Sequence, residues 1–204
     1  MINGKKFLEE NQNFVEIHRH HEYQITLEDY YKATKNDNYK RKFNDIAWGI
    51  FNERTLIYEK NKEYIHLRFN YFYMASLLVS EEKYEQALRL YLKCLIFDLS
   101  GLESYEEIKK YKEGWFDKKE LINRLNILWF HKGSIESVLS LKEYYSEKML
   151  YDVYNETYIP FNVSTVEFIS KLLNDAFNTA VFDYDKYKKE LILNKKKKYL
   201  EMIQ

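Results

Sequence analysis

The sequence predicts an all-α protein, a helical bundle of about eight or nine helices, and three observations predict it. Apolar residues recur at spacings of three and four along most of the chain, which is the period of a helix with one buried face. The order reads as helix, turn, helix throughout, with no run of alternating strands. The 204 residues include only five Gly and one Pro, too few for the frequent tight turns of a sandwich or barrel. With 46% hydrophobic and 18% aromatic residues, the chain can bury a sizeable core as one domain, or one domain with a small appendage. A fold of this length removes roughly 70% of the unfolded surface from water, so it needs no disulfide or metal to hold it.

Residues 1–38 read as a polar N-terminal segment with short helices: 1–24 are weakly patterned, and Thr26 before Leu27-Glu28-Asp29 caps a helix to about Thr34. Lys35-Asn36-Asp37-Asn38 makes a connector. From about Tyr39 to Glu59, Phe43, Ile46, Ala47, Ile50 and Phe51 keep helical spacing, and Asn61 is a plausible stop. Residues 63–80 repeat the pattern with apolar groups over more of the circumference, which makes that helix central. Residues 83–98 are the clearest amphipathic helix, with Tyr84, Ala87, Leu88, Tyr91, Leu92, Cys94 and Leu95 in one stripe and Ser100-Gly101 as its end.

Further helices are expected at about 104–112, 117–132, 134–146 and 147–156. Pro160 breaks the chain, since a proline disfavours helix in the residue before it. Ser164 or Thr165 then caps a helix to about Asn178, with Glu167 completing a capping box, and a lysine-rich helix runs from about Asp183 to the end.

The stretch RFNYFYMASLLVSEEKYEQALRLYLKCLIFDLSG, residues 68–101, resembles one tetratricopeptide repeat, a 34-residue helix–turn–helix. Tyr71, Met74, Ala75, Leu78, Tyr84, Ala87, Tyr91, Cys94 and Leu95 stand at the motif's aromatic, small and apolar positions. Small residues let two antiparallel helices approach where large ones fill the space opposite. Glu82 replaces the usual turn glycine and Leu99 the usual terminal proline. On this reading 39–160 form a tetratricopeptide-like helical core and 161–204 the C-terminal helices with a lysine-rich end. The segments DIAWGIFN (45–52), FDLSG (97–101) and LKEYYSEKMLYDVYNETYIPF (141–161) are similar to helical parts of phage and prophage proteins of low-GC bacteria, some of which carry an N-terminal SAP domain. Residues 1–38 do not display that module.

Lys+Arg and Asp+Glu both number 32, so no global basic excess favours phosphate binding. The lone Cys94 forms no internal disulfide, which fits a reducing compartment, and the N-terminus lacks a signal-peptide core. No apolar run reaches membrane-spanning length. The expected location is the cytoplasm, that of the host cell if the chain is phage-encoded, with no membrane partner.

Three groups of side chains invite a chemical role. His18, His21 and Glu22 carry metal-ligand chemistry and would share one helix face, with His66 or His131 to complete a site. The HExxH and CxxC spacings are absent, a solvated polar segment is the plainer reading, and no metal or other cofactor is expected. Cys94 lies on an apolar stripe as a packing residue, and Glu81-Glu82 and Glu106-Glu107 are ordinary helix-end charges. No catalytic residue is therefore assigned. Lys188, Lys189, Lys195, Lys196, Lys197 and Lys198 form the best basic patch, suited to nucleic acid or a ribonucleoprotein. Tyr64, Arg68 and Tyr71 are the candidates for the concave face that a tetratricopeptide-like bundle offers a protein partner.

The leading expectation is a phage or mobile-element protein that acts by protein–protein binding, in its most specific form as an inhibitor of a host defence system in the manner of an anti-CRISPR protein. The alternatives are a nucleic-acid-binding accessory protein using the C-terminal lysines, and a metal-dependent hydrolase built on His18 and His21.

Overall fold

The computed structural model describes residues 37–125, 132–159, 166–179 and 183–202. Among the described residues there are nine α-helices, one 3-10 turn and no strand. In chain order the helices are α1 (Asp37–Asn61), α2 (Tyr64–Ser80), α3 (Tyr84–Leu99), α4 (Leu102–Lys112), α5 (Lys118–Leu125), α6 (Lys132–Ser140), α7 (Glu147–Glu156), α8 (Val166–Asn178) and α9 (Tyr184–Met202). The 3-10 turn, Lys142–Tyr144, lies between α6 and α7. The expected all-α bundle is the fold observed. No described helix is long and apolar enough to cross a membrane.

The chain divides into two compact units, one through Leu77 and one from Leu78 onward, so the boundary falls inside α2. Residues 39–160, expected as one core, lie on both sides of it.

In the first unit Ala47, Phe51 and Leu77 form a buried cluster, with Trp48, Tyr73 and Met74 packed against it. Asn70, only 3% exposed, ties α2 to α1: its Nδ2 donates to the Phe51 carbonyl at 2.9 Å and to Thr55 Oγ1 at 2.8 Å. The Thr55 hydroxyl itself donates to the Phe51 carbonyl at 2.9 Å. That carbonyl thus collects two side-chain donors, while Asn70 Oδ1 is buried with no partner. Tyr71 Oη donates to Glu59 Oε1 at 3.0 Å, and the Tyr58 and His66 rings stack with centroids 5.4 Å apart.

The second unit is organised on α3. From Cys94 to Leu99 every residue of α3 is buried, so this half of the helix has no solvent side. A helix apolar around its circumference belongs in an interior, and α3 packs against α4, α6, α7 and the 3-10 turn. Leu88, Leu92, Leu95 and Leu99 are each 0% exposed, and full burial of such a side chain is worth about 1.5–3 kcal/mol. Among the described residues the one buried carboxylate, Asp98, accepts a hydrogen bond at 2.6 Å from the buried Ser134 hydroxyl of α6. Ala75, Ala87 and Cys94, the small residues of the repeat-like segment, are all 0% exposed.

Three helix ends share one geometry. Glu63 N–H donates to the Tyr58 carbonyl and Lys62 N–H to Glu59; Lys83 donates to Leu78 and Glu82 to Val79; Trp115 donates to Lys110 and Gly114 to Tyr111. Each is the paired long and short bond of a Schellman cap, which needs a left-handed residue just past the helix. Those residues are Lys62, Glu82 and Gly114, at φ of 58°, 62° and 81°. Glu82, the residue at the turn of the repeat-like segment, is therefore left-handed without being glycine.

One helix ends earlier than its apolar spacing predicts. The pattern over 134–146 predicts continuous helix, yet α6 stops at Ser140, whose hydroxyl donates to the Ser137 carbonyl at 2.8 Å. Ser146 is extended and its hydroxyl oxygen accepts the Met149 N–H, so it caps α7 and cannot also continue α6. Asp117 and Asp183 cap α5 and α9 in the same way, accepting from Glu120 N at 2.8 Å and Lys186 N at 3.0 Å. The expected caps at Ser164 or Thr165, the helix near 27–34 and the end of the 117–132 helix lie outside the described residues.

Candidate functional site

Tyr64, Arg68 and Tyr71, the residues expected on a binding face, lie in the interior, at 8%, 6% and 9% exposure. The Arg68 guanidinium sits over the Phe69 ring at 4.7 Å and near the Phe72 ring at 5.6 Å. The reason is legible in α2 itself, which is apolar over most of its circumference and so buries the side that a repeat array would leave open. These three residues build the core.

The lysine-rich end is helical, on α9. Lys189, Lys197 and Lys198 are exposed there; Lys188, Lys195 and Lys196 belong to the same helix. The base of α9 is held to α8 by polar bonds: Tyr187 Oη donates to Asp175 Oδ2, Lys186 Nζ lies 3.7 Å from the same carboxylate, and Lys171 lies 3.9 Å from Glu190. The Tyr187 hydrogen bond holds the Asp175 carboxyl below its ordinary range, helped by Lys186 and Lys171. Burial, then the Asp175 bond, pushes the Tyr187 phenol up. His18, His21 and Glu22 lie outside the described residues, and among those described no group of three His, Cys, Asp or Glu could hold a metal ion.

The surface that stands out runs along α7 and the turn before it. Residues 144–158 contain five tyrosines: Tyr144, Tyr145, Tyr151, Tyr154 and Tyr158. The segment is anchored by Met149, Leu150 and Val153, which are buried where α7 packs on α3 and α8. It is fixed at both ends. Ser146 caps its start, and near its end Glu156 accepts from Arg89 of α3 at 2.6 Å with Lys93 4.0 Å away. On the α8 side, the Ser170 hydroxyl donates to Glu147 at 2.7 Å and the Tyr145 ring meets Phe177 at 4.9 Å.

On this fixed frame Tyr144 is 37% exposed, Tyr151 36% and Tyr158 75%. The Tyr144 ring stacks on Tyr84 of α3 with centroids 5.3 Å apart, and burial with the Glu143 charge raises its phenol. The Tyr145 phenol is pushed up to about 12, first by burial and then by Glu147, and its buried hydroxyl has no hydrogen-bond partner. At a rise of 1.5 Å per residue, the ten residues of α7 make a helix about 15 Å long between the turn that holds Tyr144 and the segment that holds Tyr158. The result is a strip of amphipathic rings on a fixed frame, edged by charged side chains.

No family model, curated protein or solved structure matches this chain.

Proposed function

We propose that the protein acts by binding another protein, and that the tyrosine strip of α7 is the surface it uses. The observation that carries this reading is the exposure of Tyr151 on α7, with Tyr144 in the turn before it and Tyr158 just beyond its end, while Met149, Leu150 and Val153 anchor the helix in the core. Tyrosine brings large contact area and a hydroxyl while ordering only two side-chain torsions, which is why it is enriched at interface cores and hot spots. A frame already fixed by capping and ion pairs adds little ordering cost on binding. The similarity of 141–161, the segment that holds the strip, to phage proteins supports a host protein as partner. The most specific form of the reading is a stoichiometric inhibitor of a host defence component.

Affinity capture from a low-GC bacterial host lysate, with nuclease present, tests it. A specific protein should be retained by the wild-type chain and lost with Tyr144→Ser, Tyr151→Ser and Tyr158→Ser combined. At least one single change should cost about 2 kcal/mol, roughly 30-fold in Kd. Equal retention by the folded triple variant would rule out the strip.

A further inference from the structure

The turn between α4 and α5 has a chemistry that the tyrosine strip does not share. Residues 109–119 contain five lysines, Lys109, Lys110, Lys112, Lys118 and Lys119, against two acids, Glu113 and Asp117. Both acids are engaged within the turn. Asp117 caps α5, and Glu113 Oε2 accepts the indole N–H of Trp115 at 3.1 Å. Of the lysines only Lys110 pairs with a described carboxylate, Glu107 at 2.9 Å. At the centre stands Trp115, 74% exposed, the most exposed apolar side chain after Tyr158 among the described residues.

An exposed tryptophan in a mobile loop would mean little, but this one is held. Its backbone N–H closes the Schellman cap on Lys110 at 3.1 Å, its indole N–H is held by Glu113, and the next residue but one caps the following helix. Behind it the Arg124 guanidinium covers the Phe116 ring at 4.6 Å and bonds Glu107 at 3.2 Å and Glu120 at 2.9 Å, locking α5 onto α4. The indole therefore offers its π face and apolar edge, with its one polar atom already used, in the midst of uncompensated ammonium groups.

We infer that this turn binds single-stranded nucleic acid, with a base stacked on Trp115 and the flanking phosphates held by Lys109, Lys112, Lys118 and Lys119. A stacking ring among cations is the arrangement that serves single strands without sequence preference, since every base has a π face. An acidic protein surface would use the lysines but leave the indole idle. An anionic membrane is the poorer match, because Glu113 would be carried into the headgroups with the indole and Phe116 is already covered by Arg124. The zero net charge of the chain does not oppose this, because the phosphate field is felt within about a Debye length of the turn.

The experiment is fluorescence anisotropy of a labelled 20-nucleotide oligo-dT, titrated with the full chain at several salt concentrations near 50 mM and above. Binding should weaken with salt at a logarithmic slope of about −3 for four phosphate contacts. Trp115→Ala should weaken it roughly 5- to 100-fold, and Trp115→Phe should restore part of the loss. Changing Lys118 and Lys119 to Ala should reduce the slope by about 1.4. Changing Lys195, Lys196, Lys197 and Lys198 together to Ala should leave the Trp115 dependence intact. No binding at about 50 mM salt, or binding indifferent to Trp115→Ala, overturns the inference. So does Trp115-dependent binding to polyglutamate or anionic phospholipid vesicles in place of the oligonucleotide. Trp115, Lys118 and Lys119 are exposed, and far-ultraviolet circular dichroism confirms that each variant is folded.

Discussion

Among the described residues, two that are not glycine hold a backbone conformation that suits it, and replacing each by glycine should stabilise the protein. Lys62 and Glu82 close the Schellman caps of α1 and α2 at φ of 58° and 62°. An L-residue in the left-handed region costs roughly 1–2 kcal/mol, and glycine gives back about 0.5–1 kcal/mol through its freer unfolded chain. Neither side chain makes a hydrogen bond or ion pair, and both are exposed, so no contact is lost. The net expectation is about 0.5–1 kcal/mol gained at each site. At about 2–4 °C per kcal/mol for a chain of this size, Lys62→Gly with Glu82→Gly should raise Tm by about 2–8 °C. The two sites lie in different compact units, so separate thermal transitions would each respond to one substitution only. Gly114 supplies the control. At φ 81° with nothing within 4 Å of an added Cβ, Gly114→Ala is resisted by conformation alone and should cost about 1 kcal/mol. Thermal and urea denaturation of the three single variants and the double variant measure all of this. If the two glycine variants lose stability while Gly114→Ala does not, the reading of these turns is wrong.

Two further outcomes follow from the interior. Ser134→Ala removes a donor from the buried Asp98 carboxylate and should cost about 1–3 kcal/mol by urea denaturation, far more than an exposed serine such as Ser140. The phenols of Tyr145 and Tyr187 are both raised in the folded state, so above about pH 10 the unfolded chain releases protons that the folded chain keeps. Stability must then fall as pH rises from about 10 toward 12. Tyr145→Phe should flatten that fall, measured as the denaturation midpoint against pH, and an unchanged profile would refute the assignment.

Much of the fold was legible because helical spacing is a direct record of burial. The stripe from Ala87 to Leu95 is buried as its period demands, and Ser100-Gly101 marks the end of α3 where the sequence places it. What escaped was competition between adjacent signals. Apolar spacing carried the 134–146 helix through Ser146, and only the cap of α7 shows why it stops at Ser140. Tyr64, Arg68 and Tyr71, expected on a binding face, are buried. A helix apolar on most sides gives no period from which to choose an exposed face, and α2 buries all three. The tyrosine strip had a signal, five tyrosines in fifteen residues, but a tyrosine suits a core edge as well as a surface. The α4–α5 turn had a sharper one, since Gly114-Trp115-Phe116 between lysine pairs puts large rings where a chain normally turns with small polar residues.

Both surfaces depend on the same helix, and that gives a way to separate folding from recognition. α7 and α4 each pack on α3, whose Leu92 is fully buried between the charges at its N-terminal end and Asp98 near its C-terminal end. Leu92→Ala should cost about 2–5 kcal/mol and weaken protein and oligonucleotide binding together, only in so far as it unfolds the chain. Below the denaturation midpoint, correcting each apparent affinity for the folded fraction should restore wild-type values for both ligands. Tyr151→Ser and Trp115→Ala should do the reverse, leaving stability within about 0.5 kcal/mol of wild type and each removing one ligand only. If Leu92→Ala abolishes one activity at full folded occupancy, the strip and the turn are not independent fixtures on a rigid α3, and strain in that helix must reach one of them.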